Sequence, residues 1–428
     1  MHPKSDAAPL VIATAAGVTY AVLSASNFSP DSFPQSPSFF PRIRNAAPFA
    51  AQVTHLADGG AAVALRISHQ LCDGRACFAV AAAWGQLHRG LKLAPPPQHD
   101  RAVLQAIAAV TRPPDVCECY GILPPFQAVL SSDTSPLNSS AALRSTAPPL
   151  CSTAAHVDTL SEGEKQHSSA AWVSTLDALN GHLWCAVMRA RRAAGSIPAD
   201  ALQPHAVSRL WFTVDGRRRF KLKSGASLPA GFSGNVYMFS CAEQPLATLA
   251  PAPPSAAVAA GAAAEMSAAH CAGTIPAATA TAAAAANDAP EGHGAAPPSA
   301  ASTCNTAAAA SAAAAAAAAI RNAVDRADPA ACLTWVSAQP DQSRVFLRGL
   351  VPTPTSFLST DWRFADAYAI DFGEGQPAKL RRAPMPGRIM ACVLPAPPGE
   401  GGVEVYMGLR KAVWTALDAD AQFRRPPH

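Results

Sequence analysis

The clearest alternation of apolar and polar positions comes shortly before a histidine in the first quarter of the chain. Apolar side chains recur there at every second position: Val63, Leu65 and Ile67. This is the period of a half-buried strand. Asp73-Gly74 then marks a turn, and Arg75 to Arg89 has the spacing of a helix that ends at Gly90. The pattern predicts a strand, a turn and a helix in succession.

The same periodicities predict further elements along the chain. Thr175–Arg192 is patterned as a helix and Leu210–Val214 as a strand. Arg388–Leu394 and Val403–Leu409 are patterned as two strands joined by a glycine-rich turn at Pro398–Gly402. Because strands and helices alternate, we expect an α/β protein with a largely mixed sheet.

The apolar segment from Ala7 to Ala25 allows two interpretations. Lys4 before it and the small residues after it resemble a secretory signal. However, Val18–Leu23 is rich in β-branched and aromatic residues and follows Gly17, as a strand would. We expect a strand at Val18–Leu23.

Two stretches interrupt the globular pattern. Residues 250–319 are almost entirely Ala, Pro, Ser, Thr and Gly, and alanine buries too little surface to offset the entropy of ordering the chain. We expect a disordered insertion at about 250–311. The end of the stretch, Ala312–Ala319 running into Ile320, favours a helix. Ser131–Ser169 is a second polar loop of low complexity.

Charge and composition exclude several classes of function. Charged residues make up 14% of the 428 residues, and the formal net charge is only +4, which does not favour nucleic-acid binding. The densest basic run, Arg217–Lys223, is interpreted as a solvated turn. No stretch is long and apolar enough to predict a membrane span. We expect no nucleic-acid or membrane partner.

The cysteines indicate a reducing environment. Eleven are scattered along the chain without a Cys-x-x-Cys motif, and the closest pair, Cys117 and Cys119, has no matching pair elsewhere. Zinc ribbons and disulfide scaffolds are therefore poorly supported. We expect reduced thiols, a cytoplasmic location and no metal site.

The candidate for chemistry is His69, at the point where the predicted strand ends and the helix is about to begin. An imidazole has an ordinary pKa of about 6.5, which suits proton transfer near neutral pH. Asp73 could orient the ring, cap the helix or pair with an arginine. A His-x-x-x-Asp spacing alone equally fits a structural histidine beside a capping aspartate. A metal site lacks a third ligand of suitable type nearby.

Many short motifs around His69 and beyond it follow one another in a recognisable order. They are Ala47–Thr54, Gly59–Gly60, His69–Gly74, Trp84, Arg89–Gly90, Asp100–Arg101, Ser174–Trp184, Asp215–Arg219, Gly231–Asn235, Asp371–Gly375 and Gly402–Leu409. In this order the chain resembles the plant-type BAHD acyltransferases, and hydroxycinnamoyl transferases among them. The resemblance starts near Gly17 and covers most of the ordered sequence. It favours a catalytic role for His69 over a structural one.

The resemblance implies two chloramphenicol-acetyltransferase-like domains with mixed sheets and a solvent channel between them. The N-terminal domain would cover residues 1–112, joined by about 371–395. A crossover loop at 113–130 would lead to a C-terminal domain at 131–428. Acyl-coenzyme A would be the co-substrate, no cofactor would be bound, and a monomer is expected. His69 would deprotonate a hydroxyl or amine acceptor as it attacks the thioester, without a covalent acyl-enzyme.

The resemblance also assigns roles to other residues. Thr360 and Trp362 match a Thr-x-Trp pair, which makes the Trp362 indole N–H the candidate oxyanion donor, although a core tryptophan at a strand end is an equal alternative. Arg348 would bind a carboxylate on the acceptor, or be a surface arginine. Ser174 and Thr175 match positions near the coenzyme A channel.

Four residues are assigned to structure by the same resemblance. Asp73, followed by Gly74, would turn away from the cleft and pair with an arginine. Arg217 or Arg219 is the expected partner. Asp371 and Gly373 would brace the fold far from the chemistry.

The chain departs from the family pattern in two places. Glu374 stands where the family motif has tryptophan, so the loop must repack or open to water. His69 also comes early, as if the first strand and helix of the N-terminal domain were absent. Either the sequence is incomplete, or the N-terminal domain lacks these elements and the protein is expected to be inactive or unstable.

Three functions therefore remain to be compared. Acyl transfer from coenzyme A is the leading hypothesis. A condensation-type domain that takes its acyl group from a carrier protein is the second. A non-catalytic binding module that keeps the fold is the third.

Overall fold

The computed structural model describes two groups of segments, one on each side of a long gap. They are residues 8–28, 39, 41, 47–108, 114 and 117–122, then 172–220, 228–229, 231–251, 300–382 and 390–424. The polar loop predicted at Ser131–Ser169 and most of the predicted insertion lie outside the described residues.

The described chain alternates strands and helices. The strands are β1 (Leu10–Ala15), β2 (Phe49–Leu56), β3 (Ala61–Ile67), β4 (Tyr120–Ile122), β5 (Val207–Asp215), β6 (Tyr237–Pro245), β7 (Val345–Leu347), β8 (Ser356–Asp361), β9 (Ala391–Pro395) and β10 (Val403–Met407). The helices are α1 (Tyr20–Ala25), α2 (Gly74–His88), α3 (Ala102–Ala108), α4 (Thr175–Ala193), α5 (Leu246–Leu249), α6 (Ala300–Arg326), α7 (Pro329–Ser337), α8 (Lys411–Ala419) and α9 (Ala421–Arg424).

A five-stranded sheet forms the centre of the molecule. Its order is β10-β9-β8-β5-β6, with β5, β8 and β9 parallel to one another and the two outer strands antiparallel to their neighbours. This confirms the expected α/β class with a mixed sheet. A smaller sheet has the order β1-β2-β3, and its last strand leads to His69. The short strands β4 and β7 form a separate ribbon.

The main core lies between the large sheet and the helices α4 and α6. Ser359 on β8 donates a hydrogen bond to Asn180 of α4, and Ser240 on β6 donates one to Ala323 of α6. The two helices approach closely because Gly181 faces the alanine-rich helix, where a Cβ would lie 2.9 Å from the backbone nitrogen of Ala317. This explains why an alanine-rich sequence is ordered there. The helix predicted at Ala312–Ala319 is confirmed within α6, but α6 begins at Ala300, so the expected disorder is wrong for residues 300–311.

The N-terminal segment differs from the expectation. A strand at Val18–Leu23 is wrong, since β1 ends at Ala15 and α1 covers most of the predicted stretch. The Thr19 hydroxyl caps α1 by accepting a hydrogen bond from the Val22 amide, and Asp58 accepts another from the Tyr20 amide. Capping of the free N–H groups outweighs the weak strand preference of β-branched residues.

The other predicted elements that fall within the described residues are confirmed to within a few residues. They are the strand before His69, the helix after it, α4, β5, and the pair β9 and β10. The described residues between Asp371 and Pro395 contact both α2 and the large sheet. Phe372 packs edge-on against Trp84 of α2, and β9 is a strand of the large sheet.

Candidate active site

His69 lies in the turn between β3 and α2, and its side chain is exposed to solvent. Upstream, the Ser68 amide donates to the Pro48 carbonyl at 2.7 Å, which holds the end of β3. The imidazole lies beside Tyr237, with ring centroids 5.4 Å apart and planes tilted by 57°. An exposed ring on a turn between two regular elements can exchange a proton with a small molecule.

Asp73 is turned away from His69 and buried, with 4% of its surface exposed. Its carboxylate caps α2 by accepting from the Ala76 amide at 3.0 Å. Both oxygens also accept from the Arg217 guanidinium, at 2.9 and 3.0 Å, and the Val236 amide donates to Oδ2. All of its accepting positions are used for structure. Asp73 therefore anchors the turn and is not a proton relay.

The expected arginine partner is Arg217, because Arg219 donates instead to the Ala327 carbonyl at 3.1 Å. Interpreting the basic run as a solvated turn is wrong for Arg217, which is 7% exposed, whereas Arg218 is exposed. Asp215 adds a second carboxylate, 3.1 Å from Arg217 and 3.2 Å from Arg75. Two carboxylates thus face two guanidinium groups, and the local charge is balanced.

Asn235 contacts the His69 turn directly, a role that its sequence motif does not predict. Its side-chain Nδ2 donates to the main-chain carbonyl of His69 at 2.6 Å. The only sequence signal was the position of Asn235 in the Gly231–Asn235 motif.

Thr360 and Trp362 lie on the same side of the large sheet as Tyr237. The Thr213 and Thr360 hydroxyls are 3.2 Å apart on neighbouring strands. Thr213 and Asp215 share this side by alternation, and Asp215 is directly paired with Tyr237. We call this side, defined by Thr213, Tyr237 and Thr360, the front face; α4 and α6 cover the opposite face.

The Trp362 indole lies against the start of α2. A Cβ on Gly74 would be 3.2 Å from the indole Nε1, so glycine leaves room for the ring there. Phe78 contacts the ring edge-on at 5.5 Å, and the Arg382 guanidinium lies 4.9 Å from its centroid. The indole N–H makes no hydrogen bond to any residue that the structure describes. The ring is half-buried, so its donor is held in place by packing.

Arg348 is exposed at the end of β7 and is held by its own strand ribbon. Its Nε donates to the Tyr120 carbonyl at 2.8 Å, and its terminal nitrogens make no hydrogen bond within the described ranges. The next residue, Gly349, packs on Trp211, whose Cβ would be 2.9 Å from a Cβ added to the glycine. Trp211 belongs to the front face, so Arg348 lies at the edge of that face with a free guanidinium fork.

Ser174 and Thr175 are not brought to His69, because α4 packs on the opposite face of the sheet. The Ser174 hydroxyl accepts from the Asp177 amide, and the Asp177 carboxylate accepts from the Ser174 amide, which forms a capping box. Asp177 is buried and lies 3.5 Å from Arg321. The structure thus shows a helix cap at these positions, and a role toward coenzyme A stays a prediction.

Asp371 braces the loop that packs on α2. Its carboxylate accepts from the amides of Gly373 and Gly375 and pairs with Arg89 at 2.9 Å. The hydrogen bond from Gly373 is the main cause of a pKa of Asp371 below its ordinary value. Gly373 has φ +111°, which few residues with a side chain adopt. Glu374 between the two glycines is exposed, so the loop opens to water there, one of the two outcomes expected.

A surface depression is present at the far end of α2. Gln86, Arg89, Lys92 and Asp371 line it. A helix of this length spans about 20 Å, so the depression is remote from His69, which follows β3 at the other end. We give it no catalytic role.

The described residues hold no cluster of three or more side chains suited to a metal ion. Their cysteines are free thiols, and those of Cys117 and Cys332 lie 3.4 Å apart. In the part of the chain that the structure covers, no helix combines the length and hydropathy needed to cross a bilayer.

Comparison with known proteins places the chain in a family. Residues 14–264 match the family model described as the Transferase family. A shikimate O-hydroxycinnamoyltransferase from Nicotiana tabacum is 26% identical over 196 residues, which is 45% of this chain and 41% of the relative. An anthranilate N-benzoyltransferase from Dianthus caryophyllus is 27% identical over 187 residues, which is 43% of this chain and 37% of the relative. The chain thus spans about two fifths of the length of these curated relatives.

The fold has a counterpart among solved structures. The crystal structure of F. graminearum TRI101 in complex with coenzyme A and deoxynivalenol has a TM-score of 0.64 at 16% identity, covering 98% of this chain and 82% of TRI101. At this identity the likeness concerns the fold alone. Because the family model matches more than half of the sequence, the chain belongs to the Transferase family, that of the BAHD acyltransferases.

Proposed function

We propose that the protein transfers an acyl group from a coenzyme A thioester to a hydroxyl or amine acceptor, with His69 as general base. The observation that carries the proposal is the exposed imidazole on the turn before α2, with Asp73 turned away into a buried ion pair. Such a ring is free to meet a substrate proton. General base catalysis of this kind contributes roughly 10²–10⁴-fold to the rate.

The proposed reaction needs one general base and one hydrogen-bond donor to the oxyanion. His69 takes the proton from the acceptor as its oxygen or nitrogen attacks the thioester carbon. The tetrahedral oxyanion then collapses, the carbon–sulfur bond breaks, and the imidazolium returns its proton to the leaving thiolate. No covalent acyl-enzyme forms, because the acceptor itself attacks.

Trp362 is the proposed donor to the oxyanion. Its indole N–H is unused within the described chain and lies beside Gly74, at the start of the helix that follows His69. Thr360, two residues earlier, points its hydroxyl to the front face, where Thr213 fixes it at 3.2 Å. Donors held by packing need no reorganisation during the reaction, and losing one costs roughly 10²–10³-fold in rate.

Arg348 is proposed to bind a carboxylate on the acceptor. Its Nε is tied to Tyr120, which leaves both terminal nitrogens for a bidentate contact. The names of two relatives give shikimate and anthranilate as their acceptors, and both molecules carry a carboxylate. A guanidinium at the edge of the front face would therefore select acidic acceptors.

The remaining parts of the proposal concern the whole molecule. Two chloramphenicol-acetyltransferase-like domains would form a channel along the front face, in which acyl-coenzyme A and the acceptor meet. Ser174 and Thr175 lie at the start of α4, on the opposite face of the sheet, so their predicted role toward coenzyme A would lie outside the front-face part of this channel. The protein would act as a monomer on small molecules, and the free thiols of the described chain fit the reducing cytoplasm.

Thiol release separates the proposal from its rivals. The purified protein is incubated with a panel of acyl-coenzyme A thioesters and acceptors, with and without a carboxylate, and free thiol is measured. We expect acceptor-dependent release that is lost in His69→Ala. Binding of coenzyme A without release would instead support a non-catalytic module. Release only from acyl-carrier protein would support a condensation-type domain.

A further inference from the structure

Little in the described structure fixes the orientation of the His69 ring. Neither ring nitrogen makes a hydrogen bond to a described residue, and the ring's one aromatic neighbour there is Tyr237, at 5.4 Å. Asp73 is committed to Arg217 and cannot orient the ring. The orientation of the imidazole therefore depends on the position of the His69 main chain.

Asn235 holds that main chain from the opposite sheet. Its Nδ2 donates to the His69 carbonyl at 2.6 Å, a short hydrogen bond that joins residues 166 positions apart. It is a direct link from the loop before β6 to the turn after β3.

Apart from this hydrogen bond, the Asn235 side chain lowers the stability of the fold. Its Oδ1 is buried and accepts no hydrogen bond from any described group. A buried acceptor without a donor lowers stability, so the residue is poorly explained by packing alone. Among the described residues, the one hydrogen bond that its side chain makes is the bond to His69.

The residues on both sides of Asn235 are held by hydrogen bonds. Arg217 donates to the Gly234 carbonyl at 3.1 Å, and the Val236 amide donates to Asp73 at 3.0 Å. The ion pair that anchors the start of α2 thus also fixes the residues before and after Asn235. A donor held in this way sets the position of its acceptor rather than following it.

We propose that Asn235 is a positioning residue, whose Nδ2–H fixes the carbonyl of His69 and thereby aims the imidazole along the front face. The inference rests on the proposed function, because it assigns Asn235 a task only if His69 is the base. Displacing a catalytic group by about 1 Å costs up to roughly 10²-fold in rate.

Two variants test the proposal. Asn235→Asp keeps the shape, removes the donor and places a negative oxygen against the His69 carbonyl. We expect kcat to fall about 10- to 100-fold with a KM for the thioester within about threefold, since only the aim of the base changes. The acid limb of the pH–kcat profile should move to higher pH, because the new charge favours the imidazolium. Asn235→Ala should lower kcat similarly and leave that limb in place.

Asn180→Asp is the matched control. It makes the same change in a buried asparagine that lies on α4, on the opposite face of the large sheet. It should lower Tm but leave kcat and the pH profile of the folded protein unchanged. Wild-type kcat and an unshifted profile in both Asn235 variants, each shown to be folded by its Tm, would overturn the proposal. So would an equal loss of kcat in the control.

A second measurement is independent of turnover. In NMR titrations of the ring protons of His69, Asn235→Asp should move the midpoint to higher pH, and Asn180→Asp should not. The charged groups near the turn, Asp73, Arg75, Asp215 and Arg217, are paired with one another and unchanged in both variants, and the neighbouring Tyr237 is unchanged too. A wild-type protein without His69-dependent thiol release would refute the proposed function, whereas an unmoved midpoint in Asn235→Asp would refute this inference.

Discussion

At the scale of single residues, the pairing of Asp73 with Arg217 determines how the turn that carries His69 is held. Their side chains are 6% and 8% exposed, and each carboxylate oxygen accepts a hydrogen bond from the guanidinium. A buried pair of this kind is costly to break, because the remaining charge is left without its partner. The pair therefore keeps Asp73 away from the imidazole and holds the start of α2 in register.

Asp73→Asn should destabilise the fold while preserving the helix cap, since asparagine also caps well. We expect the free energy of unfolding in urea to fall by about 3 kcal/mol, the lower end for a broken buried pair because Asp215 still faces Arg217. Arg218→Ala is the control, as Arg218 is exposed beside the pair. A variant as stable as the wild type would contradict the assigned structural role.

Arg348→Ala should change acceptor preference rather than fold stability. For an acceptor with a free carboxylate, KM should rise about 10-fold or more, since a bidentate charge-assisted contact is lost. For the methyl ester of the same acceptor, KM should be the same in both proteins. An equal rise for both acceptors would show that Arg348 does not bind the carboxylate.

The sequence identified most of the candidate site but not its contacts. His69, Thr360, Trp362 and Arg348 are predicted because each lies in a short motif. The choice between Arg217 and Arg219, and the role of Asn235, depend on which side chains meet across two sheets, and no local pattern contains that information.

At the scale of elements, helix α2 is held against the loop that begins at Asp371. Gly85 lies at the contact, where an added Cβ would come within 2.4 Å of the Asp371 carbonyl oxygen. No real Cβ tolerates this distance, so the helix and the loop would have to separate. The glycine is therefore needed for packing and not for helix formation.

Gly85→Ala should destabilise the protein, although alanine is the better helix former by about 1 kcal/mol. We expect a net loss of about 1–3 kcal/mol in denaturant unfolding, because overpacking against backbone exceeds that gain. Gly17→Ala is the control, since nothing lies within 4 Å of its added Cβ. A stabilised Gly85→Ala protein would show that α2 does not contact the loop as described.

Asp371 should make the fold sensitive to acid. Its pKa is lowered in the folded state, mainly by the Gly373 amide, so its ionised form stabilises the fold at neutral pH. That contribution is present above the ordinary pKa of about 3.9 and is lost as the pH falls through the lower folded value. The Tm difference between wild type and Asp371→Asn should thus be larger at pH 7 than at pH 3.

Glu374→Gln is the control for this measurement, because it removes a charge from the same loop without removing an accepted hydrogen bond. A Tm difference for Asp371→Asn that does not shrink in acid would contradict the assigned role of the carboxylate.

Strands and helices are predicted correctly where one face of the element is buried. The prediction is wrong near Val18, where the element has little buried surface. In β5, Leu210, Phe212 and Val214 lie in the core, and their alternation shows in the sequence. The segment near Val18 has one buried side chain in its helix, Leu23, and its structure is set by capping from Thr19 and Asp58. The hydrogen bond from the Tyr20 amide to Asp58 joins residues distant in sequence, so composition alone indicates the wrong element.

At the scale of the whole molecule, polar contacts join the small sheet to the large one around His69. Asp73 with Arg217, Arg75 with Asp215, and His69 with Asn235 all cross this junction. The sequence predicts an α/β fold, but not that a single loop before β6 holds the turn that carries His69. Long-range pairing of this kind becomes visible only once the strands are placed in order.

We propose above all that the imidazole of His69 accepts the proton of the acceptor. The most direct test of this proposal is the rate of thiol release at saturating acyl-coenzyme A and acceptor, compared between wild type and His69→Ala proteins of equal Tm. We predict a loss of about 10²–10⁴-fold in kcat for the variant. A variant that releases thiol at the wild-type rate would contradict the account.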